Sequence, residues 1–405
     1  MKVAGIVSEF NPFHNGHKYL IEQARANGAT HVVAVMSGDF VQRGDVAVID
    51  KFRRADIAVR SGVDLVIEIP VVYSLASAEF FARAAVMLLT SLGIVDELVF
   101  GCETPDMDLL RTAAEASAKV AASPELTEML KSGTSYPAAV QQLVERDCGP
   151  IVGGMFDGSN DILAIEYIKS SKLMGKDWTY LPVKRIGVGH DSKTTEGNIA
   201  SASFLRDCIK LGEDISKYVP EETVKAVEEY KKQGLLADIS YLERQILYKL
   251  RTLGVQELQN LPDVGQGFEQ RILSVGKIVK SYQEFLDASK NKRYTMAKIR
   301  RLSLSALIGI RKQDLQIPPQ FGRILSLNDA GTEILAAAKG KAMLSFGTAI
   351  TSLVSEDSNT AKRAAVLSAM AHDIYTLASE NVRNGGLDFT TPIVKIGDET
   401  AENNK

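Results

Sequence analysis

Two histidines three residues apart, His14 and His17 in the tetrad His14-Asn15-Gly16-His17, are the most chemically suggestive side chains of this 405-residue sequence. They follow the apolar run Val3-Ala4-Gly5-Ile6-Val7 and the loop Ser8-Glu9-Phe10-Asn11-Pro12-Phe13, and they precede the helix-like Lys18-Tyr19-Leu20-Ile21-Glu22-Gln23-Ala24. That order predicts a strand, a turn and a helix N-terminus. In an open α/β sheet a ligand sits beyond the carboxyl ends of the strands, where first-turn N–H groups lack partners and the helix dipole favours an anion. Two imidazoles at this spacing share one side of the first turn, and both can donate N–H to phosphate oxygens. Gly16 has no Cβ, so a flat base or sugar can lie against the backbone there. The loop carries neither GxGxxG nor GxxxxGK[ST].

The elements that must position this tetrad read as an alternating series. Strands are expected over residues 30–37, 64–69, 97–101 and 178–185, and helices over 50–61, 77–92, 107–120 and 162–172. Such alternation predicts an α/β fold with a doubly wound parallel sheet. Beyond residue 200 helical patterns dominate to about residue 377, with no parallel-strand candidate. The expected division is therefore an α/β domain over 1–200 and an α-helical domain over 201–405. Ser159 or Asn160, in the glycine-rich loop 153–161, is the expected N-cap of the helix that follows.

Composition narrows the class. An apolar fraction of 45% and a charged fraction of 24% are those of a globular protein. Cys102, Cys148 and Cys208 show no CxxC spacing, which argues against a disulfide framework and suits a reducing compartment. With no leader-like segment and no apolar run long enough to cross a bilayer, a cytoplasmic protein without membrane contact is expected. A net charge of −3 means that nucleic-acid binding would need a local basic surface. One exists: residues 290–301 hold Lys290, Lys292, Arg293, Lys298, Arg300 and Arg301, with Tyr294 among them and no acid. The run is either a solvated helix face or an RNA-backbone contact.

Further candidates carry two readings each. Ser201, Ser203 and Arg206 form a Ser-x-Ser-x-x-Arg turn that either binds phosphate or caps the next helix. Asp39, Gln42 and Arg43 lie at a strand's carboxyl end and are expected near the ligand. Glu9 could accept a ribose or amino hydrogen bond, or pair with a nearby cation. His190-Asp191 lies near the phosphate end, whereas His31 and the His372-Asp373 pair read as structural. No acidic cluster has metal-ligand spacing, so no metal site is expected and Mg²⁺ would arrive on nucleotide phosphates.

The His14–His17 tetrad resembles that of HIGH-motif nucleotidyltransferases and class I aminoacyl-tRNA synthetases, in which two histidines stabilise the α-phosphate during adenylyl transfer. Taken with Gly38-Asp39-Phe40-Val41-Gln42-Arg43-Gly44, Ser135-Tyr136-Pro137, Asn160 ahead of Glu166-Tyr167, Lys184-Arg185, Ser201-Ala202-Ser203 and Lys292-Arg293-Tyr294-Thr295, the chain resembles the bacterial tRNA(Met) cytidine acetate ligase family through both halves. The resemblance implies a Rossmann-like nucleotidyltransferase domain followed by a helical tRNA-facing domain. It further implies that ATP activates acetate as acetyl-adenylate, and that the acetyl group passes to N4 of the wobble cytidine of elongator tRNA(Met). Catalytic roles fall on His14 and His17. ATP would be held by Val7, Ser8, Glu9, Phe10, Asn11, Pro12, Phe13, His14, Asn15, Gly16, His17, Lys18, Tyr19 and Leu20, with Gly101, Asn160 and Arg185. Asp39 stands where the family commonly has Asn, and Asp45-Val46 also departs from its usual pair. The alternatives are a small-molecule adenylyltransferase and a non-catalytic, nucleotide-responsive RNA-binding protein.

Overall fold

A computed structural model describes residues 1–185, 197–265, 267–354, 358–393 and 395–397. Its centre is a sheet built on β1 (Val3–Ser8), β2 (His31–Ser37), β3 (Leu65–Ile69), β4 (Glu97–Cys102), β5 (Thr179–Lys184) and β6 (Gly322–Asn328). The spatial order is β6-β3-β2-β1-β4-β5. The first five strands run parallel, with Ile6 opposite both Ala34 of β2 and Val99 of β4. Strand order reverses between β1 and β4, the switch point at which such sheets bind ligands.

Both sheet faces are covered, which explains the continuous apolar strands. Val33, Val35, Leu65, Ile67 and Leu98 enter one core, while Val32, Ala34, Met36, Val66 and Val99 enter the other, following the two-residue period of a strand. The helices used below are α1 (Asn15–Ala26), α2 (Lys51–Arg60), α3 (Ala78–Ser91), α4 (Ser159–Leu173), α5 (Ala202–Leu211), α6 (Met296–Ile308) and α7 (Asn359–Tyr375). Gly5 lets α3 close on the sheet, since a Cβ there would stand 2.9 Å from Leu89 Cδ1.

Two expectations need correction. The half after residue 200 is not purely helical: β6 pairs antiparallel with β3, and the short strands Phe346–Gly347 and Lys395–Ile396 extend the sheet parallel to β6. The chain thus returns to the first sheet, and the two halves share it. β6 was hidden by Arg323, whose charge is neutralised by Asp388 at 2.6 Å and Glu68 at 3.5 Å. Neither Ser159 nor Asn160 caps α4; the N-cap is Gly158. All three cysteines are free. Among the described residues no helix is long and apolar enough to cross a membrane.

Candidate active site

The loop leaving β1 turns sharply at Phe10, which has φ +46°. Its ring is buried, 4.9 Å from Phe13 and edge-on to His17 at 5.0 Å. His14 is the N-cap of α1. Its Nδ1 accepts from the Gly16 N–H at 3.1 Å, while His17 Nδ1 accepts from the His14 N–H at 3.2 Å, a capping box made from two imidazoles. The rings stack with centroids 3.7 Å apart and planes 21° from parallel. With each Nδ1 an acceptor, the proton of each neutral ring sits on Nε2. Burial, helped by His14 and Arg185, holds His17 well below the ordinary imidazole range, so it is a neutral donor at pH 7. Gly16 also serves the pair itself: a Cβ there would meet His14 Cε1 at 2.9 Å, so the missing side chain makes room for the imidazole.

Both histidines line a cavity of about 620 Å³ at the switch point. Val7, Ser8, Glu9, Phe10, Asn11, Gly16, Tyr19 and Leu20 line it too, together with Gly101, Asn160 and Arg185. Arg185 Nη1 donates to Asn160 Oδ1 at 3.3 Å. Pro12, Phe13, Asn15 and Lys18 do not line it. Asn15 instead donates to the carbonyls of Asn198 at 2.8 Å and Lys217 at 3.2 Å, tying α1 to the chain after residue 197. Ser201, Ser203 and Arg206 line the cavity, and the capping reading of that turn holds. Ser201 caps α5 by accepting from the Phe204 N–H at 3.1 Å, and Arg206 Nη1 donates to the Asn11 carbonyl at 2.9 Å. Neutral His17, the guanidinium groups of Arg185 and Arg206 and the N-termini of α1 and α5 around one cavity fit a triphosphate ester.

The loop after β2 divides. Gln42, Arg43 and Asp45 line the cavity, and the Gln42 N–H donates to Glu9 Oε1 at 2.8 Å. Burial pushes the Asp45 carboxyl up, against the pull of the Val46 N–H, which donates to it at 2.9 Å. Asp39, expected near the ligand, is buried away from it. It accepts from the Lys51 N–H at 2.9 Å and lies 2.7 Å from His372 Nδ1. Burial alone would raise its carboxyl, but His372, Lys51 and Arg54 outweigh this and hold it far below the ordinary range.

Sequence reasoning passed over the buried cations of α2. Arg54 donates to the carbonyls of Ile49 at 2.9 Å, Glu9 at 2.5 Å, Ser37 at 3.2 Å and Gly38, stitching the loops after β1 and β2 together. Lys51 pairs with Glu68 at 2.8 Å and Asp388 at 2.6 Å. A signal existed: Lys51 and Arg54 share the face of α2 that carries Ala55 and Ala58.

The basic run splits in the same way. Lys290, Lys292 and Arg293 are exposed, and Lys298 and Arg300 are half-buried. Burial, with Arg301 and Arg293 adding, pulls the Lys298 ammonium below its ordinary value. Arg301 is not a solvated charge: it is buried and pairs with Asp263 at 3.1 Å. Thr295, Arg300 and Arg301 line the same cavity as the histidines. His31 sits at the opposite end of its strand, 3.2 Å from Glu333. His190 and Asp191 lie outside the described residues. Among the described residues no group of three or more His, Cys, Asp or Glu could hold a metal ion.

Comparison with known proteins places this geometry in a family. The HIGH Nucleotidyl Transferase family model matches residues 1–388. The tRNA(Met) cytidine acetate ligase of Thermoanaerobacter sp. (strain X514) is 36% identical, covering 98% of this chain and 100% of its own, and that of Thermosipho africanus (strain TCF52B) is 33% identical over 98% and 100%. The structure is similar to TmcAL of Thermotoga maritima, solved apo and bound with alpha-thio ATP, with a TM-score of 0.89 and 31% identity over 98% of this chain and 100% of that one. The chain belongs to the HIGH nucleotidyltransferase family, among the tRNA(Met) cytidine acetate ligases.

Proposed function

We propose that this chain is an ATP-dependent ligase that joins acetate to AMP and passes the acetyl group to N4 of the wobble cytidine of elongator tRNA(Met), giving N4-acetylcytidine in the cytoplasm. The observation that carries the reading is the stacked His14–His17 pair on the wall of a cavity at the sheet's switch point. In the first step an acetate oxygen attacks the α-phosphorus and pyrophosphate leaves. Such a step needs positioning and neutralisation of negative charge more than covalent help. His14 and His17 donate to the α-phosphate from Nε2, and Arg185 and Arg206 balance the departing pyrophosphate. Ser201 and Ser203 hold phosphate at the start of α5, and Asn160 and Gly101 complete the nucleotide site. Mg²⁺ enters on the nucleotide's phosphates. In the second step the N4 amine attacks the acetyl carbonyl and AMP leaves.

Residues 1–200, completed by Ser201, Ser203 and Arg206 of the next turn, carry the adenylation chemistry, and the rest of residues 201–405 faces the tRNA through the run that starts at Lys290. Because Thr295 and Arg300 line the cavity, an RNA backbone on that run lies beside the acetyl donor. The test is acetate-dependent ATP/pyrophosphate exchange with and without tRNA, followed by mass spectrometry of tRNA(Met) nucleosides. Exchange without tRNA and N4-acetylcytidine with it are expected. ATP consumption with neither would refute the reading, and a stable dinucleotide product indifferent to tRNA would assign a small-molecule adenylyltransferase.

A further inference from the structure

We infer that Glu103 is a positioning residue for the nucleotide: its carboxylate sets the orientation of the Asn160 amide, and through it holds the Arg185 guanidinium on the cavity wall. This rests on the nucleotide reading of the cavity. Glu103 follows β4 and does not line the cavity itself. Its Oε1 accepts from Asn160 Nδ2 at 2.7 Å and its Oε2 from the Asp161 N–H at 2.7 Å. In return Asp161 Oδ1 accepts from the N–H groups of Glu103 at 2.8 Å and Thr104 at 3.0 Å. This reciprocal clasp locks the loop after β4 to the first turn of α4. Gly158 leaves room for it, since a Cβ there would stand 2.8 Å from Glu103 Oε2.

The consequence follows from donor and acceptor chemistry. An ionised carboxylate only accepts, so Asn160 must turn its NH₂ toward Glu103 and its Oδ1 away. Arg185 Nη1 donates to that oxygen at 3.3 Å. With the amide reversed, an NH₂ would face the guanidinium, donor against donor. Burial would raise the Glu103 carboxyl, but the Asn160 and Asp161 donors hold it below its ordinary range, so it stays a pure acceptor at neutral pH. The Arg185 stem passes over Gly101, where a Cβ would stand 3.5 Å from its Cγ, and its charge is felt at His17. The clasp thus fixes a cation next to the histidine pair.

The test is a double-mutant cycle on the full-length chain, read as the ATP KM and kcat of acetate-dependent exchange and as ATP Kd by calorimetry. Glu103→Ala is expected to raise the ATP KM and Kd roughly tenfold with a smaller change in kcat, the loss of about one charge-assisted hydrogen bond. The double variant Glu103→Ala/Asn160→Ala should bind ATP only slightly worse than Asn160→Ala alone, because Glu103 acts chiefly through Asn160, its charge also being felt directly at Arg185. Additive losses, or a folded Glu103→Ala with wild-type KM and Kd, would overturn the inference. Should Glu103→Ala not fold, Glu103→Gln keeps the volume but sets an NH₂ against one of the two donors, and an unchanged ATP Kd in that variant overturns it equally. A wild-type chain that binds ATP without exchange would sink the adenylation reading and leave this inference to calorimetry; one that binds no ATP sinks both.

Discussion

Replacing His17 by Asn and, separately, by Gln divides the two tasks of one ring. Its Nδ1 accepts the His14 N–H at 3.2 Å, and its Nε2 carries the proton proposed to reach phosphate. Asn places an oxygen close to the Nδ1 position and nothing at Nε2; Gln places an NH₂ near Nε2 and no acceptor at the cap. His17→Asn should keep the cap and lose only the ring packing, including the stack on His14 with centroids 3.7 Å apart. Its stability should therefore fall by about 1 kcal/mol. Its exchange rate should fall by about two to three orders of magnitude, the usual effect of removing one preorganised donor, or about 2.7–4 kcal/mol. His17→Gln should show the reverse: exchange within roughly tenfold of wild type, and a further loss of about 1 kcal/mol from the missing cap. Exchange is read by pyrophosphate turnover and stability by urea titration. Wild-type exchange in His17→Asn, or equal loss in both variants, would refute the donor assignment.

The same ring makes stability pH-dependent. His17 is held below its ordinary value mainly by burial, so the unfolded chain binds a proton first as pH falls below about 6.5. Stability tied to the neutral ring is complete above that value and is lost as pH drops from there toward the folded value; urea midpoints should fall less in His17→Asn than in wild type between about pH 7.5 and pH 5. Asp39→Ala leaves buried His372 and the Lys51 N–H without their acceptor and should cost about 3–5 kcal/mol, with the ATP KM of the folded enzyme unchanged. A raised KM at full stability would return Asp39 to the site. Replacing Lys290, Lys292 and Arg293 together by Ala should weaken tRNA binding and flatten its dependence on log salt by up to about 0.9 for each phosphate no longer neutralised, leaving exchange without tRNA intact. An unchanged slope in filter binding would show that these charges are solvated surface.

The parts legible in the sequence were those whose signal is local. A strand, a tight loop and two histidines at helical spacing lie within 15 residues of one another, so the tetrad and its element order can be read directly. Gly101, Asn160 and Arg185 came from resemblance, and the fold does bring them to one cavity with the histidines. What escaped depends on partners far along the chain. Arg323 makes β6 look like a surface segment until Asp388 is placed beside it. Asp39 looks like a ligand residue until His372 is found 2.7 Å away. Arg301 counts as a basic surface charge until Asp263 is seen against it. In each case the charge could be read and its neutralisation could not, because a buried ion pair leaves no periodic trace.

That pattern also explains how the second half of the chain braces a cavity whose histidines lie in the first 20 residues. The segment between β2 and α2 is gripped from the C-terminal side by polar contacts: Tyr375 donates to the Ala47 carbonyl at 2.8 Å, while Arg383 at 2.7 Å and Tyr230 at 2.6 Å both reach Asp50, the N-cap of α2. From α2, Arg54 holds the carbonyls of Glu9 and Gly38. Gly44, at φ +76°, touches α6 directly, since a Cβ there would stand 2.6 Å from Arg300 Cβ and from the Arg301 nitrogen. Two residues earlier, the Gln42 N–H holds Glu9 of the loop after β1 at 2.8 Å. Residues 42–44 therefore bridge the helix proposed to meet tRNA and the loop proposed to hold ATP. A side chain at Gly44 would both strain the backbone and push α6 away, so tRNA-dependent acetylation should suffer more than tRNA-independent exchange in Gly44→Ala.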